Sequence, residues 1–197
     1  MKTITLITNS DILNLEDTIE LSKKLSRIGL DRIQIREKNI PKNKLRNFIK
    51  KMKDSTDETC KLILNGNFDL AVEYNLNGVH FPEKYPITKK FSTKNLIIGR
   101  SIHENTKLTN DHNNFDYFHL GPIFTTLSHP DGKTINEENI SYITKKLSNI
   151  VLVGGINKNN AKKLLKYNFS GIAVMRELLL STNPEKTFLS LKEKINE

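Results

Sequence analysis

Residues 150–175 read IVLVGGINKNNAKKLLKYNFSGIAVM. Two short apolar runs, Ile150–Gly154 and Gly171–Met175, flank a segment, Asn160–Tyr167, whose apolar residues recur at helical spacing among lysines. Runs this short, and this rich in Ile, Leu and Val, are typical of strands that are buried on both faces. The stretch therefore predicts a strand, a helix and a second strand that lies parallel to the first.

The same alternation of apolar runs and helical patterns extends over the rest of the chain. Six more apolar runs precede this unit: Ile4–Thr8, Arg32–Arg36, Lys61–Asn65, Gly78–Phe81, Leu96–Ile102 and Tyr117–Phe124. Further helical patterns cover Asp17–Ile28, Lys42–Met52, Asn139–Leu147 and Phe188–Ile195. Eight strands separated mostly by helices predict an α/β fold, a compact single-domain (β/α)8 TIM barrel with short βα units over residues 1–197. A doubly wound open sheet is the alternative.

The composition narrows the class of protein. Hydrophobic residues make up 37% of the 197 residues and charged residues 27%, which is too apolar for a disordered chain. No apolar run approaches the roughly 18 residues that a membrane-spanning helix needs, so no membrane partner is predicted. The single cysteine, Cys60, excludes an intramolecular disulfide and a multi-cysteine zinc site. The expected location is therefore the reducing cytoplasm.

The chain is basic, with 31 Lys and Arg against 22 Asp and Glu and a net charge of +9. Such a balance is typical of nucleic-acid-binding proteins and also of lysine-rich solvated surfaces. Because the lysines are spread along every helical segment and no helix-turn-helix pattern is present, we expect no nucleic-acid partner. The positive charge favours association with a phosphorylated metabolite.

The second strand carries the first candidate binding residues. A period of two sends Gln34, Arg36 and Lys38 to one side, and the two isoleucines between them to the other. Since the isoleucines suit the covering helices, the three polar residues are predicted to point into the barrel mouth. Arg36 can clamp a carboxylate or phosphate through two parallel hydrogen bonds. The alternative is a structural ion pair between Arg36 and Glu37 or another acid.

Polar residues also follow the third and sixth strands. Asn65 ends the third strand and is predicted to bind substrate, although Asn-Gly is also an ordinary turn signal. Thr125 and Thr126 lie where the sixth strand runs into the segment Ser128–Gly132. They are predicted to bind substrate from a flap over the site, and an ordinary loop is the alternative.

Glycines mark the end of the seventh strand. Gly154 and Gly155 precede a helical pattern, so their backbone N–H groups can approach an anion at the helix start. The eighth strand supplies a second edge of small residues around Ala173. Barrels of this kind commonly bind phosphate in the loops after strands seven and eight, which predicts a phosphate site here. A tight turn that needs glycine for its backbone is the alternative.

Two histidines are candidate acid/base groups. His103 follows the fifth strand, and His119 shares its strand face with Gly121 and so points inward. His80 is expected to pack in the core. No pair of histidines has the i, i+4 spacing of a helical metal site, and no metal site is predicted from the residues.

These segments resemble the thiamine phosphate synthase/TenI group of small TIM barrels. The resemblance lies at every predicted strand end, including Ile33–Lys38, Leu64–Gly66, Ile98–His103, Gly121–Thr126, Gly154–Ile156 and Gly171–Met175. It implies a phosphorylated thiazole as the small-molecule partner and leaves a homodimer open.

The resemblance also implies two kinds of enzyme. Synthases of the group join a pyrimidine pyrophosphate to a thiazole phosphate and hold Mg²⁺ on two aspartates, whose positions are occupied here by Gly66 and Tyr85. The synthase flap lysines correspond to Leu127 and His129. The sequence therefore favours a TenI-like thiazole tautomerase, an isomerase that aromatises a carboxythiazole phosphate by proton transfer without metal or cofactor. The alternatives are a synthase, with Mg²⁺ as cofactor, and a noncatalytic thiazole-phosphate-binding regulatory protein.

Within this resemblance, the phosphate of the substrate lies on Gly154, Gly155 and Ala173. Arg176 stands where a small serine is usual, so it either reinforces phosphate binding or crowds it. The carboxylate of the thiazole is then held by Arg36, Lys38 or Asn65.

Pro122 occupies the position of the catalytic histidine known in the family, and proline cannot transfer a proton. Either His119 or His103 takes that role, or the chain binds thiazole phosphates without turning them over.

Overall fold

A computed structural model, which describes residues 1–85, 95–109, 112, 114–127 and 133–197, contains eight parallel strands in a closed barrel. The strands are β1 Thr3–Ile7, β2 Arg32–Ile35, β3 Lys61–Asn65, β4 Gly78–Phe81, β5 Ile97–Ile102, β6 Tyr117–Leu120, β7 Ile150–Val153 and β8 Gly171–Val174. Each strand pairs in parallel with the next along the chain, and β8 closes the barrel against β1. The predicted (β/α)8 barrel is confirmed, and the open sheet is excluded because the sheet has no edges.

Helices cover the outside of the barrel. They are α1 Leu15–Arg27, α2 Lys42–Ser55, α3 Phe68–Glu73, α4 Glu137–Lys146, a 3₁₀ helix Ala161–Lys166, α5 Arg176–Leu179 and α6 Pro184–Asn196. The third link is short, as expected, and residues 86–94 of the fourth link lie outside the described residues. Within the described part of the chain, no helix has the length and apolar character needed to cross a membrane.

Asparagine side chains start four of these helices. In each case the side-chain oxygen accepts a hydrogen bond from the backbone N–H three residues later, which satisfies one free donor of the first turn. The capping residues are Asn14, Asn67, Asn136 and Asn183. These asparagines therefore stabilise the first turns of four of the helices.

The main hydrophobic core lies between the strands and the helices, where the outward-facing strand residues meet the apolar helix faces. The barrel interior holds a second, smaller apolar cluster, made of Ile7, Tyr117, Val151 and Ala173. Much of the rest of the interior is polar, because inward-facing positions carry Gln34 and several other buried polar side chains. This polar interior opens toward the carboxyl ends of the strands, where functional groups of parallel barrels are found.

Two predicted elements differ from the observed ones. The sixth strand was expected to reach Phe124, but β6 ends at Leu120 because Pro122 has no N–H with which to continue the ladder. The segment predicted as a helix over Asn160–Tyr167 is a 3₁₀ helix, in which backbone N–H groups bond three residues back, such as Lys163 to Asn160.

Candidate functional site

A pair of cations lies at the carboxyl end of β2. Arg36 is half-buried, and this burial lowers the pKa of its guanidinium, while the charge of Glu37 raises it. Lys38 is exposed, and its pKa is lowered mainly by the positive charge of Arg36, so the two charges act on each other. Like charges that repel each other across a partly buried site favour an anionic ligand between them.

Glu37 does not form the ion pair with Arg36 that the alternative interpretation required. Its carboxylate instead accepts hydrogen bonds from the Thr8 hydroxyl at 2.5 Å and from the Ser10 backbone N–H at 2.7 Å. The Thr8 hydroxyl in turn accepts from the backbone N–H of Arg36 at 3.0 Å, which holds the β2 end against the β1 end. Among the described residues, the Arg36 side chain has no hydrogen-bonded or ion-paired carboxylate. The guanidinium therefore remains available to an anion.

Gln34 and Asn65 meet on the inner face of the barrel. The Gln34 amide nitrogen donates to the Asn65 side-chain oxygen at 3.1 Å. Gln34 is 2% exposed, and its own carbonyl oxygen is buried without a partner among the described residues. Because its oxygen is engaged, Asn65 presents its amide nitrogen as a donor at the mouth, next to the end of β2. The structure thus brings these two predicted binding residues together.

The glycine turn after β7 packs tightly against the segment after β6. Gly154 and Gly155 have positive φ angles of 101° and 65°. A Cβ on Gly154 would lie 2.6 Å from the Pro122 Cα, and one on Gly155 would lie 2.4 Å from the Thr125 carbonyl oxygen. The glycines are therefore required by the backbone, as the alternative interpretation held. The same packing places Thr125, which is exposed, beside the predicted phosphate turn.

The loops after β7 and β8 are joined by a hydrogen bond from the Lys158 N–H to the Glu177 carboxylate at 3.0 Å. Arg176 begins α5 and is half-buried at this junction. Ala173 lies deeper, within β8, where it is 1% exposed and packs in the interior apolar cluster. The roles of Arg176 and Ala173 in phosphate binding stay predictions. Thr126 is half-buried in the sixth loop, and the predicted flap at 128–132 lies outside the described residues.

His103 lines a cavity of about 400 Å³ that is built by the loops after β4, β5 and β6. Its Nδ1 lies 2.7 Å from the Gly121 carbonyl oxygen, so Nδ1 carries the donated proton and Nε2 is free to accept when the ring is neutral. Glu83, Glu104 and Pro122 also line this cavity. His103 is thus exposed at the mouth.

His119 lies elsewhere, inside the barrel. It is 3% exposed, its ring centroid lies 4.2 Å from that of His80, and its Nε2 has no partner among the described residues. Burial, followed by the nearby charge of Arg32, lowers the pKa of His119 to about 3. The structure therefore separates the two candidate acid/base residues, and only His103 faces the open cavity.

The buried His119 predicts a loss of stability in acid. Its folded-state pKa of about 3 lies below the unfolded value of about 6.5, so the unfolded chain takes up a proton more readily. The stabilising contribution is complete above about pH 6.5 and is lost as the pH falls toward the folded-state pKa, by up to about 1.4 kcal/mol per pH unit. Urea denaturation of the wild-type and His119→Phe proteins at several pH values is expected to show a flatter profile for the variant. Parallel profiles would contradict the prediction.

The donor set does not fit the divalent metal that the resemblance implies. Gly66 has no side chain, and the Tyr85 ring packs on Phe81 with centroids 4.4 Å apart. Among the described residues, no group of three or more His, Cys, Asp or Glu side chains is arranged to hold a metal ion. Magnesium requires oxygen ligands, usually carboxylates with substrate phosphates, and neither replacement supplies a carboxylate.

Two interior residues were missed by the sequence analysis. Tyr117 lies on the same face of β6 as His119, Ser101 lies in β5, and both contact His80 through hydrogen bonds. The period of two that placed Gln34 at the mouth would have placed them inside as well.

Comparisons with known proteins agree with this barrel. A family model described as thiamine monophosphate synthase matches residues 4–178. A thiamine-phosphate synthase from Clostridium tetani is 32% identical over 203 aligned residues, covering 99% of this chain and 96% of that protein. One from Clostridium botulinum is 35% identical over 159 residues, 77% of each chain. A solved structure described as thiamine phosphate pyrophosphorylase from Pyrococcus furiosus has a TM-score of 0.83 at 25% identity, covering 98% of this chain and 95% of that one.

The prediction of a TenI-like thiazole tautomerase, and with it the assignment as an isomerase, is wrong. The relatives from Clostridium tetani and Clostridium botulinum, which cover 99% and 77% of this chain, are named as synthases. The acid/base role expected of His119 also lacks support, since this imidazole is enclosed in the barrel interior. From the family model that spans the barrel and the synthase relatives along its length, this chain belongs to the thiamine monophosphate synthase family.

Proposed function

We propose that this protein joins a pyrimidine pyrophosphate to a thiazole phosphate, the thiamine-phosphate synthase reaction, at the carboxyl-end mouth of the barrel. In this transferase reaction, a bond from the thiazole to the pyrimidine-bearing carbon forms as the bond to pyrophosphate breaks. The pyrophosphate leaves with the electron pair and gains negative charge. Groups that stabilise this charge in the transition state accelerate the reaction.

The observation that carries the proposal is the cation pair at the end of β2. Arg36 is half-buried without an ion-paired acid among the described residues, and its charge lowers the pKa of Lys38, two residues further along the chain. A pyrophosphate is the kind of ligand that offsets both charges, because a planar guanidinium can bind two phosphate oxygens at once. Asn65, held by Gln34, adds an uncharged donor beside this pair.

The glycine turn supports a second anion site on the same rim. Gly154 and Gly155 lie next to Thr125, whose exposed side chain can donate to a phosphate. The carboxyl ends of all strands face one side of a parallel barrel, so a thiazole phosphate held here faces the pyrophosphate held at Arg36. The two phosphorylated substrates thus have separate sites: the pyrophosphate binds the cations at the end of β2, and the thiazole phosphate binds backbone donors at the glycine turn.

One observation favours a second candidate, binding of a phosphorylated thiazole without turnover. Gly66 and Tyr85 replace the aspartates that the family uses for Mg²⁺, and no other described group fits a metal. Without a metal, the chain's own cations make the contacts to pyrophosphate. A homodimer and a cytoplasmic location stay predictions.

Incubating the whole chain with both substrates tests the proposal. We expect equal amounts of thiamine phosphate and pyrophosphate, measured by mass spectrometry and by a coupled pyrophosphate assay, and each omitted substrate should abolish both. The reaction is run with Mg²⁺ and with EDTA, and product in either condition supports the transferase. Thiazole phosphate binding by calorimetry, with no product in both conditions, would instead support the noncatalytic candidate.

A further inference from the structure

Three polar side chains inside the barrel each carry a buried atom that has no hydrogen-bond partner among the described residues. These atoms are Thr5 Oγ1, Arg32 Nη1 and His119 Nε2, and we name the three residues the interior donor group. Thr5 and His119 are 2% and 3% exposed, and Arg32 is half-buried. Because a buried polar atom without a partner costs free energy, such a group in a folded protein indicates a bound ligand or ordered water.

Strand register and ring contacts bring these side chains to one part of the interior. Thr5 and Arg32 are register partners on β1 and β2, and the period of two directs both inward. The Arg32 guanidinium lies 5.0 Å from the centroid of the Tyr117 ring, which in turn lies 5.3 Å from the centroid of the His119 ring. Burial, followed by the charge of Arg32, lowers the pKa of His119, so this charge acts across the same space. The three strands β1, β2 and β6 thus direct the interior donor group toward each other.

All three unpartnered atoms can donate a hydrogen bond. A guanidinium N–H only donates, a threonine hydroxyl can rotate to donate, and Nε2 of a neutral imidazole carries the proton in one of its two tautomers. Another unpartnered atom on the inner face, Gln34 Oε1, is an acceptor and lies one inward position nearer the mouth on β2. A single acceptor can therefore satisfy the interior donor group.

The charge in this part of the barrel favours an acceptor that is negative. Arg32 takes part in none of the ion pairs among the described residues. The carboxylate of its neighbour Asp31 instead accepts a hydrogen bond from the Ile4 backbone N–H at 2.9 Å. Lys61, the register partner of Arg32 on β3, adds an exposed cation at the amino ends of the strands. Because a partly buried charge without a counter-charge is costly, an anion offsets Arg32 better than a neutral water does.

The packing at the amino end of the barrel favours a small anion. A Cβ on Gly171 would lie 2.2 Å from Thr3 Oγ1, and one on Gly78 would lie 2.3 Å from the Ile97 carbonyl oxygen. Close packing of this kind leaves little room for an anion with several oxygens. A monatomic anion needs the least room and accepts hydrogen bonds from any direction, which suits three donors on three different strands.

We propose that the barrel interior binds one monatomic anion, such as chloride, through Arg32 Nη1, Thr5 Oγ1 and His119 Nε2. The site is separate from the proposed transferase reaction, because the groups proposed for the phosphorylated substrates lie at the carboxyl ends of the strands. An anion that binds the folded chain and not the unfolded chain stabilises the fold, increasingly so as its concentration rises above its Kd.

Thermal unfolding in sodium chloride and in sodium gluconate at equal ionic strength tests the site, because gluconate is too large to enter it. At about 0.2 M salt, we expect the unfolding midpoint of the wild type to be about 2–4 °C higher in chloride. Arg32→Met should abolish this difference between the salts, and Thr5→Val, which keeps the shape but not the hydroxyl, should reduce it. Arg27→Met is the matched control, since Arg27 is exposed in the last turn of α1, and it should keep the full difference.

Crystals of the wild-type chain grown in bromide locate the anion directly by its anomalous scattering. We expect a peak within hydrogen-bond distance of Arg32 Nη1 and Thr5 Oγ1, and this measurement also serves if Arg32→Met does not fold. Three results would each overturn the inference: water at this position without an anomalous peak, equal midpoints for the wild type in the two salts, or a chloride effect that persists in Arg32→Met. Product formation, which tests the proposed function, is unaffected by any of them.

Discussion

Replacing Arg36 with methionine is expected to weaken pyrophosphate binding about 10- to 100-fold and to lower kcat/KM of the proposed transferase by at least as much. The guanidinium supplies charge-assisted hydrogen bonds that methionine cannot make, while the methionine stem preserves the packing of the aliphatic part. Because no acid is ion-paired with Arg36 among the described residues, the free energy of unfolding should stay the same or increase. Calorimetry and urea denaturation measure the two quantities.

Two further variants sharpen this prediction. Arg36→Lys keeps the charge but not the planar pair of donors, so it should recover only part of the affinity. Arg27→Met removes an exposed arginine in the last turn of α1, and it is expected to bind pyrophosphate as the wild type does. Loss of stability in Arg36→Met without loss of binding would mean that Arg36 serves the structure rather than a ligand.

Gly155→Ala is expected to reduce the free energy of unfolding by about 3 kcal/mol or more and to abolish the proposed phosphate binding at the glycine turn. The new Cβ would lie 2.4 Å from the carbonyl oxygen of Thr125 and 2.7 Å from that of Phe124. Both contacts are to backbone, which cannot swing aside as a side chain can. The φ of 65° adds the ordinary strain of a left-handed residue with a side chain.

Gly66→Ala separates these two effects, since Gly66 has a φ of 76° and nothing within 4 Å of its Cβ position. It should cost only about 1 kcal/mol of unfolding free energy, measured by guanidinium denaturation. If the two variants lost the same unfolding free energy, the contact of Gly155 with the segment after β6 would be unimportant. The coupling of Thr125 to the glycine turn would then be unimportant as well.

Much of the barrel was predictable because its signals are local. A strand buried on both faces needs a short apolar run, and a covering helix needs an apolar stripe, so both patterns are present within single segments. The sixth strand was predicted too long because Ile123 and Phe124 are apolar, although Pro122 stops the ladder before them. The inward faces of Gln34 and Arg36 followed from the period of two.

Function was less predictable from the same residues. The missing aspartates at Gly66 and Tyr85 suggested an isomerase, whereas a relative that matches nearly the whole chain is named a thiamine-phosphate synthase. From its strand position His119 was predicted to act as an acid/base group, but the barrel encloses it beside His80. No local sequence pattern indicates that this histidine is enclosed.

Short stretches of the chain encoded the order of strands and helices and the inward direction of Gln34 and His119. They did not encode the need for glycine at Gly154 and Gly155, because that need comes from the segment after β6, which packs against them. Partners between distant segments were settled only when the barrel closed. In the closed barrel, the Glu37 carboxylate accepts hydrogen bonds from Thr8 and Ser10. Arg36 is therefore left without an ion-paired acid among the described residues. Closure of the barrel also brought Tyr117 and Ser101 within hydrogen-bond distance of His80. Such pairings depend on strand register around the whole ring, and register is a property of contacts between strands rather than of any single strand.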